Sequence, residues 1–179
     1  LFLGLDAAAE PLRESSTKAL KKPARGGAPN ALFGVLPLAE APGEVDGFAD
    51  ALTVLLPWGS LLEAVACARV PELARLRGLC RDGAAVRLVY GYGSADGLAL
   101  PSIDAIAALT GGYRAAGFEV KAKEISREEI RALGTTWAGR LAFSGAERRF
   151  VEISGRASLD GACPEPSRRA RDERGVSPE

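Results

Sequence analysis

Short apolar runs alternate with helix-length windows along most of this 179-residue chain, and no other feature limits its fold so strongly. Strands separated by helical windows are joined by crossovers, and crossovers build parallel sheet. Leu1–Leu5 reads as a strand, followed by a helix from about Glu10 to Lys22 with Leu12 and Leu20 facing inward. Pro23 and the Gly26-Gly27 pair break that helix, since neither residue type extends one. Ala31–Leu36 is a second strand, ending in Pro37-Leu38-Ala39-Glu40. Ala51–Leu56 is a third, closed abruptly by Pro57-Trp58-Gly59, and Val86–Tyr90 is a fourth. Helical windows from Ser60 to about Ala68 and from Pro71 to Arg81 fill the interval between them. Residues 92–97 follow the fourth strand as a Gly-rich loop.

The later rhythm differs. Ile103–Ala116 is helical, and residues 117–123 alternate with the period of a half-exposed strand. Ser126 with Glu129 forms a capping box that starts a helix stopping near Gly134. Thr135-Thr136-Trp137 leads into Arg140–Phe143, then a turn, then a final strand over Arg149–Ser154. Two late strands joined by a short excursion are expected to pair antiparallel at the sheet edge. The whole is an α/β fold, with residues 1–157 as its single domain and 158–179 as a disordered tail. That tail is Pro-, Arg- and Ser-rich and shows no apolar period.

Composition removes several kinds of chemistry. Histidine is absent, which excludes Ser-His-Asp triads, Cys-His dyads and His-ligated metals, and no metal site is expected. Twenty-three basic residues balance twenty-three acidic ones, so no whole-molecule field attracts polyanions, although local patches can. Apolar residues make up 47% of the chain, yet no run of about 18 uncharged apolar residues exists to span a membrane. Cys67, Cys80 and Cys163 are odd in number and show no CxxC spacing, as expected of reduced thiols in a cytoplasmic protein. The chain has no methionine, not even at position 1, and Leu1 opens in mid-strand. Both features lead to the expectation of a sequence that starts after the beginning of its domain.

Ligands of open α/β sheets sit at the carboxyl ends of the strands. Asp6 ends the first strand, where its carboxylate can accept ribose hydroxyls or simply close a turn. Ala39 and Glu40 follow the second strand and can border an adenine ring. Pro57 frees a carbonyl from the ladder and Trp58 can project into the crevice, or else pack in the core. Trp137 carries the same two alternatives. Two crevice-side tryptophans can together sandwich a flipped base, each stack contributing roughly 1–3 kcal/mol. Between Arg13 and Arg25, five basic residues face Glu14 alone, a local net of +4. Arg140, Arg148, Arg149 and Arg156 form a second patch. Either patch is a solvated face or a phosphate contact.

Read together, KKPARGGAPNALF, LAEAP, LLPWGSLLEAV and TTWAGRLAF resemble the aminoglycoside-resistance 16S rRNA methyltransferases that modify N1 of the decoding-site adenine 1408, the kanamycin–apramycin resistance family. The resemblance runs from Leu1 to about Arg156. It implies a class I, Rossmann-like S-adenosylmethionine-dependent fold lacking its first strand and helix, with an antiparallel strand pair at the C-terminal end. It further implies that Asp6 binds the ribose of S-adenosylmethionine, with Ala39 and Glu40 at its adenine. Trp58 and Trp137 would stack on the flipped target adenine, Pro57 would read its exocyclic amine, and Thr135 would lie near the transferred methyl. Lys21, Lys22 and Arg25 would dock on 16S rRNA of the assembled 30S subunit, with Arg140 and Arg148 in a second rRNA-facing linker. The protein would act as a monomer.

Three features depart from the family. The glycine-rich block DxGTGDGR is not in the sequence, Leu56 stands where Phe usually precedes Pro-Trp, and the loop before Pro101 lacks an arginine. An rRNA-docking chain without catalysis, and a small-molecule methyltransferase with both tryptophans in its core, are the alternative readings. Without the glycine turn, tight cofactor binding by this chain is not expected.

Overall fold

The computed structural model describes residues 1–99, 101–145 and 147–162. Its elements are β1 (Phe2–Asp6), α1 (Ala9–Ala19), β2 (Ala31–Val35), β3 (Ala49–Leu55), α2 (Gly59–Ala66), α3 (Val70–Gly78), β4 (Cys80–Tyr92), α4 (Ile103–Ala115), β5 (Ala116–Ile125), α5 (Arg127–Arg131), α6 (Thr136–Phe143) and β6 (Arg149–Ala162). β1 and β2 form a parallel pair, with Gly4 opposite Phe33. The other strands form a second sheet in the order β3-β4-β6-β5. β3 runs parallel to β4, and β6 runs antiparallel to both β4 and β5.

The late antiparallel pair expected at the sheet edge is present, but β6 is not itself an edge strand. It inserts between β4 and β5, placing Ile153 opposite both Leu88 and Ala122. β6 also continues to Ala162, beyond the expected stop at Ser154 and five residues past the boundary set at 157. Most of the tail expected over 158–179, residues 163–179 with Cys163, lies outside the described residues. β4 is longer than the apolar run Val86–Tyr90: its pairing with β6 spans Ala85–Tyr92, and Cys80 pairs with Ala49 ahead of an irregularity in the β3 ladder. Leu20, expected to face inward, is 88% exposed. Helix α1 stops at Ala19, before its period would turn that side chain toward the sheet.

The main sheet buries both of its faces unequally, as the two-residue strand period requires. Val86, Leu88 and Tyr90 of β4 point to one side, where Leu62, Val65, Leu73 and Tyr113 of α2, α3 and α4 cover them. The Tyr113 hydroxyl donates to the Val65 carbonyl at 3.0 Å and ties α4 to α2. On the other side Val89, Ile125 and Phe150 lie under Ile130, Leu141 and Ala142 of α5 and α6. Gly91 makes this second cluster possible, because any Cβ there would run into the Phe150 ring.

The β1–β2 pair attaches through the segment that follows it. Leu38 packs on the main core, and the Arg75 guanidinium of α3 donates to the Ala41 carbonyl at 2.8 Å and pairs with Asp46. Leu1, Phe2 and Leu32 are more than half exposed on this small sheet.

Candidate active site and RNA-facing surfaces

β3 ends in a turn that controls one side chain. The Leu56 amide still donates to the Val89 carbonyl at 2.7 Å, but Leu56 has φ 50° and Gly59 φ 55°. A left-handed conformation at a leucine costs about 1–2 kcal/mol. Burial of the Leu56 side chain in the second cluster offsets that cost. Between these two reversals Trp58 becomes the residue that precedes α2 and is 52% exposed. Among the described residues no backbone amide donates to the Pro57 carbonyl, which leaves it free to accept.

Trp137 reaches the same place from the opposite direction. Thr135 caps α6, its hydroxyl oxygen accepting the Ala138 amide at 3.0 Å, so Trp137 sits in the first turn of that helix. The two indoles are in direct contact, with centroids 4.9 Å apart and planes inclined at 59°. That spacing lies within the range of a tilted aromatic pair, so no third ring fits between them. The indole N–H of Trp137 is buried without a hydrogen-bond partner. The structure thus brings the two tryptophans together in a closed arrangement. An open pocket of about 460 Å³ borders Trp58 on its other side, against α2 and the 95–98 loop.

Arg148 is not on the surface. Its side chain is 8% exposed and pairs with Asp96, itself 6% exposed, at 2.6 Å. The second oxygen of Asp96 accepts the Gly93 amide at 3.1 Å, and the guanidinium lies 5.9 Å from the centre of the Trp58 ring. The expectation that Arg148 belongs to an rRNA-facing patch is therefore corrected: it points inward and supports Trp58. Asp96 went unnoticed in the sequence because its partner lies 52 residues away. Its place after Gly93 in a loop beyond a strand end was the one local signal.

Helix α6 is held at its other end too. Arg127, the first residue of α5, donates through one nitrogen to the carbonyls of Ala142 (3.2 Å) and Ser144 (2.9 Å), with that of Leu141 at 3.5 Å. Its guanidinium also lies 5.8 Å from the centre of the Phe150 ring. A cation on the last carbonyls of a helix satisfies acceptors that the helix leaves open and opposes its dipole. Arg140 projects from α6 into solvent.

The other expected residues form a separate group. The Asp6 carboxylate accepts the Ala8 amide through one oxygen at 2.8 Å, and the Asp6 carbonyl accepts the Leu36 amide at 2.8 Å. Asp6 therefore closes a turn, the plainer of its two readings, while its second oxygen remains available. Ala39 and Glu40 are exposed in a single 3₁₀ turn, Leu38–Glu40, beyond the adjacent strand. Lys21, Lys22 and Arg25 are exposed where the chain folds back through Gly26 (φ 79°) and Gly27. A Cβ at Gly27 would fall on the Lys21 carbonyl, so the linker's shape depends on that glycine. Arg13 and Lys18 of the same basic run pair with Glu10 and Glu14 along α1. The patch thus reduces to the three linker residues, none of which has a carboxylate within 4 Å among the described residues.

With ligand candidates at the carboxyl ends of parallel strands and β6 antiparallel between β4 and β5, the fold is that of a class I methyltransferase. A family model described as NpmA, 16S rRNA (adenine(1408)-N1)-methyltransferase, matches residues 1–156. The chain belongs to this 16S rRNA (adenine(1408)-N1)-methyltransferase family. A protein of that description from Escherichia coli is 32% identical over 168 residues, spanning 88% of this chain and 76% of its own length. Among solved structures, the 16S rRNA methyltransferase KamB superimposes with a TM-score of 0.75 at 29% identity, covering 88% of this chain and 77% of KamB. A tryptophan-to-alanine variant of the Catenulisporales acidiphilia enzyme, solved with its cosubstrate SAM, gives 0.73 at 26% identity, covering 87% of this chain and 74% of that one.

Proposed function

We propose that this chain methylates N1 of adenine 1408 in the 16S rRNA of the assembled 30S subunit, in the cytoplasm and as a monomer, and so protects the ribosome against aminoglycosides. The observation that carries this reading is the meeting of Trp58 and Trp137 at the carboxyl end of the parallel strands, 4.9 Å apart and held from both sides.

The cofactor of this reading is S-adenosylmethionine. The residues present fit it in part: Asp6 has a carboxylate oxygen for a ribose hydroxyl, and the Ala39–Glu40 turn lies beside it for the adenine. When bound, S-adenosylmethionine supplies an activated methyl group. The rest is positioning. N1 of neutral adenine already carries a lone pair, so the chain needs no strong base, and orientation can contribute up to roughly 7–11 kcal/mol of such a barrier. Trp58 and Trp137 part to take the flipped base between them, each stack contributing about 1–3 kcal/mol against a flipping cost of a few kcal/mol. The free Pro57 carbonyl accepts from the exocyclic amine, which orients N1. The Thr135 hydroxyl, whose oxygen is occupied by the helix cap, retains its proton for donation at the edge of the site. Lys21, Lys22, Arg25 and Arg140 meet phosphates.

The test uses 30S subunits, the purified chain and S-adenosylmethionine in large excess, since without the glycine turn tight cofactor binding is not expected. A methyl on the pairing edge of adenine blocks reverse transcription, so a stop at position 1408 is expected. Replacing Lys21, Lys22 and Arg25 by Glu should weaken subunit binding and flatten its salt slope by about one unit per lost phosphate contact. Absence of the stop, with subunit binding intact, would refute catalysis by this chain.

A further inference from the structure

Phe143 is the last residue of α6 and is 73% exposed, although the second apolar cluster lies directly beneath the same helix. It is held in the open. Arg127 fixes the carbonyls of Ala142 and Ser144 on either side of it. The Arg131 guanidinium, one helical turn further along α5, lies 4.5 Å from the centre of the Phe143 ring, nearer than the other two cation–ring contacts. Arg140 stands three residues before Phe143 on α6 and therefore shares its face. Neither Arg131 nor Arg140 has a carboxylate within 4 Å among the described residues. The result is a preset aromatic–guanidinium stack, flanked by a second guanidinium, on the excursion that carries Trp137.

We propose that Phe143 and Arg131 form a stacking platform for an unpaired nucleotide of the 16S rRNA outside the target pocket, with Arg140 on the adjoining phosphate. Unpaired bases of RNA stack on aromatic rings and on guanidinium planes, and this surface offers both in one assembly. Its charge is complementary to the phosphodiester chain. A protein partner would meet two cations beside a single ring, a poor match for an apolar contact. The inference rests on the methyltransferase reading and adds a contact that neither tryptophan nor the Lys21–Arg25 linker supplies.

Binding of the full chain to 30S subunits tests it. Phe143→Ala and Arg131→Ala should each weaken binding by about fivefold or more, the lower end of a lost base stack. Phe143→Trp should restore it. Because stacking releases no counterions, Phe143→Ala should leave the salt slope unchanged, unlike the Lys21/Lys22/Arg25 charge reversal. Melting temperatures should not move, since both side chains are on the surface. Photo-crosslinking from Phe143→p-benzoylphenylalanine should label rRNA. Wild-type affinity of both alanine variants, with the linker variant weakened, would overturn this platform alone. Crosslinking to a ribosomal protein would overturn its RNA occupant, and failure of the wild-type chain to bind subunits would overturn both readings.

Discussion

Asp96→Ala removes one partner of an ion pair in which both side chains are more than nine-tenths buried. The Arg148 guanidinium then stays in a site that water reaches poorly, with its Nε already without a hydrogen-bond partner. The Gly93 amide loses its acceptor in the same step. Breaking a buried pair on one side typically costs about 3–5 kcal/mol. The pair closes a loop at the sheet end, so the arginine can swing partly toward solvent, which places the expected loss near the lower limit, about 3 kcal/mol. Urea unfolding followed by circular dichroism measures it. Arg148→Ala should cost a comparable amount, and the double variant should be no worse than the poorer single one, giving a coupling energy of about 2 kcal/mol or more. Trp58, relieved of its neighbouring cation, should also shift its emission. Single costs below about 1 kcal/mol that simply add in the double variant would show a solvated, dispensable pair and refute the burial argument.

Trp58→Ala and Trp137→Ala should each reduce rRNA methylation by the loss of one stack, roughly 1–3 kcal/mol in kcat/KM. Unfolding curves should separate them, the half-exposed Trp58 being nearly neutral and Trp137 destabilising. Arg127→Ala should cost about 2 kcal/mol, because the α6 carbonyls lose a charged donor. It should also alter the Trp58–Trp137 fluorescence, with Arg127→Lys recovering part of both. Glu129 is held below the ordinary carboxylate value, chiefly by the Ser126 amide it accepts at 2.7 Å. Its folded value lies below the unfolded one, so its contribution is complete above the unfolded value and is lost as pH falls through the folded one. α5 should therefore exchange its amides faster on acidification, and Glu129→Gln should remove that part of the pH dependence.

Local chemistry was readable from the sequence and long-range chemistry was not. The Ser126–Glu129 capping box is present as expected, with both reciprocal bonds formed, because all its atoms come from four consecutive residues. The break at Pro23–Gly27 and the turn at Pro57-Trp58-Gly59 likewise depend on residues adjacent in the chain. The antiparallel pairing of the two late strands at the sheet edge is present as expected, but hydrophobic period fixes which face a strand buries and not which neighbour it pairs with, so the place of β6 beside β4 needed the structure. Arg148 looked like one more arginine of a basic run, since nothing near it in sequence announces Asp96. Arg127 escaped notice for the same reason, its acceptors lying on a different helix. The direct contact of Trp58 with Trp137 could be inferred only as two side chains sharing a crevice, and their closed geometry needed the three-dimensional structure.

Ile125, where β5 ends, is the ladder partner of Phe150, where β6 is just beginning. The chain thus leaves the sheet and re-enters it at facing positions, and everything between, from the Ser126 cap through Trp137 to Arg148, hangs from a doorway one strand spacing wide. Closing such a loop is charged to the sheet, which holds the two posts whatever lies between them. Doubling the length of the excursion would add only about 0.6 kcal/mol of closure entropy. Length changes between its helices are accordingly cheap so long as Ile130, Leu141 and Ala142 still cover the second cluster and Arg148 still reaches Asp96.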